Sequence, residues 1–252
     1  MLPAERKQFI LDRLHQTGKL VAAELSAALG ISEDTVRRDL RELSEAGLLQ
    51  RVHGGALPAS PAATATYTDR QQQSPAAKAA IARAALPLLH NGQVVLLDGG
   101  TTTLQVAQQL PSSLQITVIT NSPPIAIALA SHPRAEVLLI GGKLLKPSLV
   151  SSGAAAVEAI QMIRADLCFL GICSLHPELG ISTPDSEEAL VKRAMIASSA
   201  EVVALVSAEK MGTAAPYIVA PIQQLTHLVT EARLPQTALE PYRRMGITIL
   251  LG

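Results

Sequence analysis

Two groups of residues in this chain have the types and spacing to do chemistry. In the first, Arg37, Arg38 and Arg41 fall on the polar side of a segment whose apolar residues Val36, Leu40, Leu43 and Leu48 recur at helical spacing. With Ser32 and Thr35 at its amino end, such a face offers short polar side chains for base edges and guanidinium groups for phosphates, as a DNA major groove demands. The second group is Asp98, Gly99, Gly100, Thr101, Thr102 and Thr103, where small glycines, three hydroxyls and the N–H groups of an incipient helix converge on a place suited to an anion. Both groups also have ordinary readings. Arginines on a helix are commonly just a solvated face, and glycine turns end strands in many α/β proteins. The elements that would position these residues must decide.

Around the arginines, VAAELSAALGISEDTVRRDLRELSEAGLLQRVHGG (Val21 to Gly55) predicts a helix, a tight turn, a second helix and a short ribbon, with the helix-turn-helix over about residues 20–39. Ser26 is small where the helices cross, Gly30 suits the left-handed residue ending the first, and Ser32 caps the second with Glu33 and Asp34 in its first turn. Ile31 and Val36 lock the angle. LLQRVHGGAL (Leu48 to Leu57) reads as a wing that brings Arg51 and His53 to the backbone or minor groove, and Pro3 to Thr17, with Phe9, Ile10 and Leu14, reads as a supporting first helix stopped by Gly18. The head therefore covers residues 3–58.

Residues 59–75 are rich in Ala, Ser, Thr, Pro and Gln and read as a linker rather than a core element. From Ala76 the pattern alternates. A helix from Ala76 to Leu89 precedes VVLLDGG (Val94 to Gly100), and ITVIT, VLLIGG (Val137 to Gly142), DLCFLGI (Asp166 to Ile172), EVVALVS (Glu201 to Ser207), THLVT (Thr226 to Thr230) and ITILL (Ile247 to Leu251) follow as continuous apolar runs. Runs of that kind between helices predict an α/β fold over residues 76–252, its mostly parallel sheet buried on both faces. Ligands bind at the carboxyl ends of such strands, where the Asp98–Thr103 loop, Asn121 with Ser122, and Gly141 with Gly142 and Lys143 all fall.

Bulk properties narrow the classes. The formal net charge over 252 residues is zero, and residues 1–57 themselves carry eight basic against eight acidic groups, so nucleic-acid binding rests on local arrangement. A single such head would bind weakly, and two or more copies are expected to act together as a homo-oligomer, a dimer or tetramer, on operator half-sites. Trp is absent and only two Phe and three Tyr occur, which argues against a stacking platform for single strands or bare sugar rings. Cys168 and Cys173 match no zinc or disulfide spacing and read as core residues, with thiol-based redox sensing as a weaker alternative. No cofactor or metal motif is present, and without a long apolar run or a leader pattern the expected location is cytoplasmic.

The run SEDTVRRDLRELSEAGLLQRVHGGA resembles the DNA-binding signature of the DeoR family of bacterial transcriptional regulators, in which a winged helix-turn-helix precedes a sugar-phosphate-sensing domain. LDGGTTTLQVAQQL, VITNSPPIA, LIGGKL, FLGI, GIST followed by EEALVKRAM, and SAEKMG are similar to successive motifs of that sensor, whose fold resembles that of sugar-phosphate isomerases. The resemblance implies an operator-binding repressor of a carbohydrate-metabolism operon, controlled by a phosphorylated sugar or related metabolite. It places the effector's phosphate at Gly100, Thr101, Thr102 and Thr103, and adds Asp98, Asn121, Gly141, Gly142, Lys192 and Lys210 to the pocket. Where the family usually has Asp, this chain has Ser207, His176 and Glu231, so either the ligand is atypical or those loops lie beyond its reach. The competing class is an isomerase-like enzyme with an accessory amino-terminal domain, using Asp98 or Glu187 as general base.

Overall fold

The computed structural model describes residues 1–252. The head consists of α1 (Pro3–Thr17), β1 (Leu20–Val21), α2 (Ala22–Leu29), α3 (Glu33–Glu45), β2 (Leu49–Val52) and β3 (Gly55–Pro58), the strands lying in the order β1-β3-β2. Gly30 turns the chain at φ 63°, which a side chain would strain, and Ser26 secures the turn by donating its hydroxyl to the Ile31 carbonyl at 2.6 Å. The Ser32 hydroxyl caps α3 by accepting the Thr35 N–H at 3.3 Å. Ile10, Leu14, Leu25, Val36, Leu40 and Leu43 meet in the core of the head. Leu48, expected inside, is 52% exposed, and Leu49 takes the buried place. Helix α3 has already ended there, so the 3.6-residue repeat no longer governs the phase.

Residues 59–75 are packed rather than a free spacer. A 3-10 turn over Pro61–Ala63 leads to α4 (Tyr67–Gln72), whose start is fixed by a capping box between Thr66 and Asp69. Ser60, Ala62 and Tyr67 are buried, and the Tyr67 ring joins the sensor core beside Ile81 and Leu104. One aromatic ring and two small residues dock a stretch whose mean composition is polar.

The sensor then runs through α5 (Pro75–Ala85), β4 (Val94–Leu97), α6 (Thr101–Gln108), β5 (Thr117–Thr120), α7 (Pro123–Leu129), β6 (Glu136–Leu139), β7 (Lys143–Leu145) and β8 (Val150–Ser152). It continues with α8 (Ala154–Gln161), β9 (Ala165–Gly171), β10 (Ser174–His176), β11 (Gly180–Thr183), α9 (Ser186–Ala197) and β12 (Ser199–Leu205). The last elements are β13 (Tyr217–Ala220), β14 (His227–Thr230), α10 (Gln236–Arg244) and β15 (Thr248–Leu251). Seven strands form one sheet in the order β15-β14-β12-β9-β4-β5-β6, with every pairing parallel.

Alternate strand residues feed two cores. Val95, Leu97 and Phe169 pack under α5, α6 and α7, while Leu96, Cys168 and Leu170 pack under α8, α9 and α10. Burial on both faces fails at the two edges, at β6, where Leu138 and Leu139 are exposed, and at β15, where no residue is buried and Leu251 is exposed. The antiparallel pair β7–β8 and the small sheet β10-β11-β13 were not expected, because most of their strands mix polar and apolar residues instead of forming the continuous apolar runs of the main sheet. From β4 the chain builds outward through β5 and β6, and from β9 the other way through β12, β14 and β15. The crevice between the carboxyl ends of β4 and β9 is therefore the topological switch point of the sheet, where ligands bind in folds of this kind.

Candidate DNA-binding face and effector cleft

Helix α3 presents Arg38 and Arg41 to solvent with no ion pair to either. Arg37 is also exposed, but its guanidinium lies 2.7 Å from Glu33 and 3.7 Å from Asp34, so binding a phosphate would exchange one partner for another. Ser32 is exposed and its hydroxyl stands 3.0 Å from that of Thr35, which is partly covered. Arg51 on β2 and His53 in the wing turn are both exposed. On the hidden side of α3, Asp39 is 2% exposed and accepts both Nε and Nη2 of Arg6, at 2.5 and 3.0 Å. That bidentate pair holds the recognition helix to α1, and Lys7 with Glu42 at 2.5 Å reinforces it. Sequence reasoning missed Arg6 and Asp39, although a carboxylate three residues after Val36 and four before Leu43 is on the inward face.

At the switch point the loop after β4 meets the end of β9 in a cleft open to solvent at its mouth. Gly99, Gly100, Thr101 and Thr102 form one wall, and Gly171, Ile172 and Cys173 another. The first turn of α6 points N–H groups that have no intrahelical partner towards this space. The Thr102 hydroxyl is buried without any hydrogen-bond partner. Gly171 permits the close approach of the walls, since a Cβ there would stand 2.6 Å from the Gly99 carbonyl oxygen.

A buried ion pair supports the floor. The Lys192 ammonium binds Asp98 Oδ2, donates to the Gly171 carbonyl at 2.8 Å and lies 3.3 Å from Glu188, while Asp98 Oδ2 accepts the Gly171 N–H at 2.9 Å. Burial opposes the charge on Lys192, but the two carboxylates outweigh it and hold the ammonium above the usual lysine range. All three of its protons are engaged, so Lys192 braces the β4–β9 junction. Lys210 differs, because it is buried at the same cleft with neither a hydrogen bond nor an ion pair. Burial pushes its ammonium down to about 8, against the smaller opposing influence of Cys173 and Glu209.

The other expected pocket residues divide. Thr103 closes on its own helix, donating its hydroxyl to the Gly100 carbonyl at 2.9 Å. Asn121 shapes the loop by accepting the Gly99 N–H at 3.1 Å and donating to the Ser151 carbonyl at 3.2 Å. Gly141 and Gly142 are exposed and do not line the cleft. Ser207, His176 and Glu231 also lie outside the lining, so the missing aspartates leave the cleft wall unchanged. Sequence reasoning did not place Ala62, Arg70, Ser148, Gly171, Ile172, Cys173, Pro184 and Glu188 in the lining. Glu188 was hidden beside the singled-out Glu187, which faces solvent, and Ala62 and Arg70 sit in the segment whose composition suggests a spacer.

Neither alternative fits these positions. Asp98 is held by Lys192 and Gly171, and the exposed Glu187 is outside the cleft, so neither of the two residues considered as general base is free to act in it. Burial raises the pKa of both Cys168 and Cys173, which keeps them as thiols and disfavours redox sensing.

Two family models match successive parts of the chain. Residues 6–61 match the family model described as "DeoR-like helix-turn-helix domain", and residues 73–232 match "DeoR C terminal sensor domain". The chain is 37% identical over 253 residues to the "HTH-type transcriptional regulator GlpR" of Haloferax volcanii, covering 100% of this chain and 99% of that protein. It is 33% identical to the "HTH-type transcriptional repressor GlcR" of Bacillus subtilis, covering 100% and 97%. The full-length sorbitol operon regulator SorC from Klebsiella pneumoniae aligns over 94% of this chain and 99% of its own, at 13% identity and TM-score 0.46, a likeness too distant to carry an argument. With a head and a sensor that each match their family model and relatives that match from end to end, the chain belongs to the DeoR family of transcriptional regulators.

Proposed function

We propose that the protein is a cytoplasmic repressor of a carbohydrate-metabolism operon, released from or recruited to its operator by a phosphorylated sugar bound at the β4–β9 cleft. The observation that carries the effector assignment is the buried Thr102 hydroxyl without a partner, at the amino end of α6, on a residue that lines the cleft together with Lys210. A phosphate monoester supplies acceptors for the hydroxyl, the helix N–H groups and the ammonium together. Names of relatives support the operon class, since the Bacillus subtilis protein is called a repressor and a 30% identical protein of Escherichia coli O157:H7 a putative aga operon repressor.

The head's balanced charge favours action as a homo-oligomer, a dimer or tetramer on paired half-sites, because one recognition helix offers few phosphate contacts. The ligand acts only through unequal affinity for the arrangements of those heads. A thermal-shift panel of sugar phosphates on the purified chain tests the effector assignment. A ligand at a hundred times its dissociation constant stabilises by about 2.7 kcal/mol, whereas a panel without any shift would count against the cleft as its site. Incubation with aldose and ketose phosphates separates the sensor from an isomerase, turnover being the outcome that contradicts the regulator.

A further inference from the structure

The cleft is not built by the sensor alone. Its outer wall comes from the segment that joins the sensor to the head, which contributes Ala62 and Arg70. We propose that Arg70 is a ligand for the phosphate group of the effector, so that the connecting segment itself is the wall that closes on bound ligand. This rests on the cleft being the effector site.

Three observations carry it. First, the charge nearest the loop is already spent, because Lys192 is saturated by Asp98, Glu188 and a carbonyl. Lys210 and Arg70 are the other cations that line the cleft, and neither has a carboxylate within ion-pair distance. Second, the Arg70 guanidinium uses one N–H, on Nη1, to reach the Ala65 carbonyl at 2.9 Å, and its other donors have no protein partner. Arginine's planar fork matches two phosphate oxygens at once, which a second lysine would not do. Third, the buried Thr102 hydroxyl across the cleft lacks an acceptor and a donor, as a site awaiting an oxyanion would.

The segment is also fastened at points that would feel a pull on Arg70. Lys78 of α5 donates to the Arg70 and Gln73 carbonyls, holding the end of α4 to the sensor. Ser60 donates to the carbonyl of Cys173, a residue of the cleft wall, and the Ala214 N–H donates to the Pro58 carbonyl at 3.3 Å, the last residue of the wing strand β3. A chain of direct contacts thus leads from the anion site to the wing, and ligand held by Arg70 would stabilise one placement of the head over others.

Inorganic phosphate is a suitable probe, with phosphorus NMR titration for affinity and hydrogen exchange for the segment, both on the full chain. Arg70→Gln keeps a donor for the Ala65 carbonyl and removes the charge, while Arg70→Lys keeps the charge and loses the fork. Arg70→Gln is expected to weaken phosphate binding by about tenfold and Arg70→Lys by less, as befits a charge-assisted bond. Phosphate should slow amide exchange across residues 59–72 in the unsubstituted protein and not in Arg70→Gln. Unchanged phosphate affinity in Arg70→Gln, or binding without slower exchange in that segment, overturns the proposal and leaves the cleft assignment standing. No phosphate binding by the unsubstituted protein overturns both.

Discussion

Replacing Lys192 with methionine is the sharpest test of what holds the cleft together. The side chain is similar in length and the ammonium is lost, leaving Asp98, 1% exposed, with only the Gly171 N–H as partner. Removing one member of a buried pair costs roughly 3–5 kcal/mol, because a charge is stranded in low dielectric. For a sensor of this size each kcal/mol lowers the midpoint by about 2–4 °C, so the sensor transition should fall by roughly 6–20 °C. Adding Asp98→Asn removes the stranded charge while keeping an acceptor for Gly171, and should restore a large part of the loss. Lys192 is held above the usual lysine range, so its contribution is complete below the ordinary lysine pKa and is lost only as pH rises through the higher folded value. The deficit of Lys192→Met should also shrink as pH falls, because Asp98, which burial already pushes above the usual carboxylate range, then takes up a proton instead of standing alone as a charge. Thermal unfolding followed by circular dichroism, with the head transition as internal control, measures all of this. An unchanged midpoint in Lys192→Met, or a double variant no more stable than the single one, would refute the coupling.

Further expectations concern the two faces separately. Arg38→Ala combined with Arg41→Ala should weaken operator binding at every sequence and reduce the salt slope by about one for each phosphate no longer neutralised, read from anisotropy titrations at several salt concentrations. Anion affinity should fall as pH rises above about 8, where free Lys210 loses its proton, by up to about tenfold per pH unit until the ordinary lysine value is reached. Burial sets that low value, opposed by Cys173 and Glu209 and aided by Lys78 and Arg70, and Lys210→Met should flatten the profile in calorimetric titrations. Because folding depresses this pKa, the unfolded chain binds the extra proton over the same range, and stability without ligand should rise with pH there. Gly171→Ala should spread the β4 and β9 ends, abolishing phosphate binding in NMR titration while the head's unfolding transition stays in place.

The parts of the molecule most legible in the sequence were those with a sustained period or a strict local requirement. The α3 face showed through Val36, Leu40 and Leu43, and the seven parallel strands through their apolar runs between helices. The position of the Asp98–Thr103 loop between β4 and α6 was legible because an apolar run stops there and a helix begins. Contacts between segments far apart in the chain were not. Nothing near Lys192 in sequence announces Asp98, and nothing near Asp39 announces Arg6; each pair exists only once the sheet or the head has folded. Arg70 was hidden by composition. Docking of residues 59–75 depends on Tyr67 entering a distant core, which an average over polar neighbours conceals.

The link between the two halves is tested most directly by anisotropy titration of the promoter fragment beside the protein's own gene, with and without sugar phosphates. Saturable binding should appear and shift roughly 5- to 150-fold with at least one phosphorylated sugar, the usual range of coupling between sites, and the shift should vanish in Thr102→Val. Sugar phosphates that occupy the cleft yet leave operator affinity unchanged at saturation would contradict control of the head from this site.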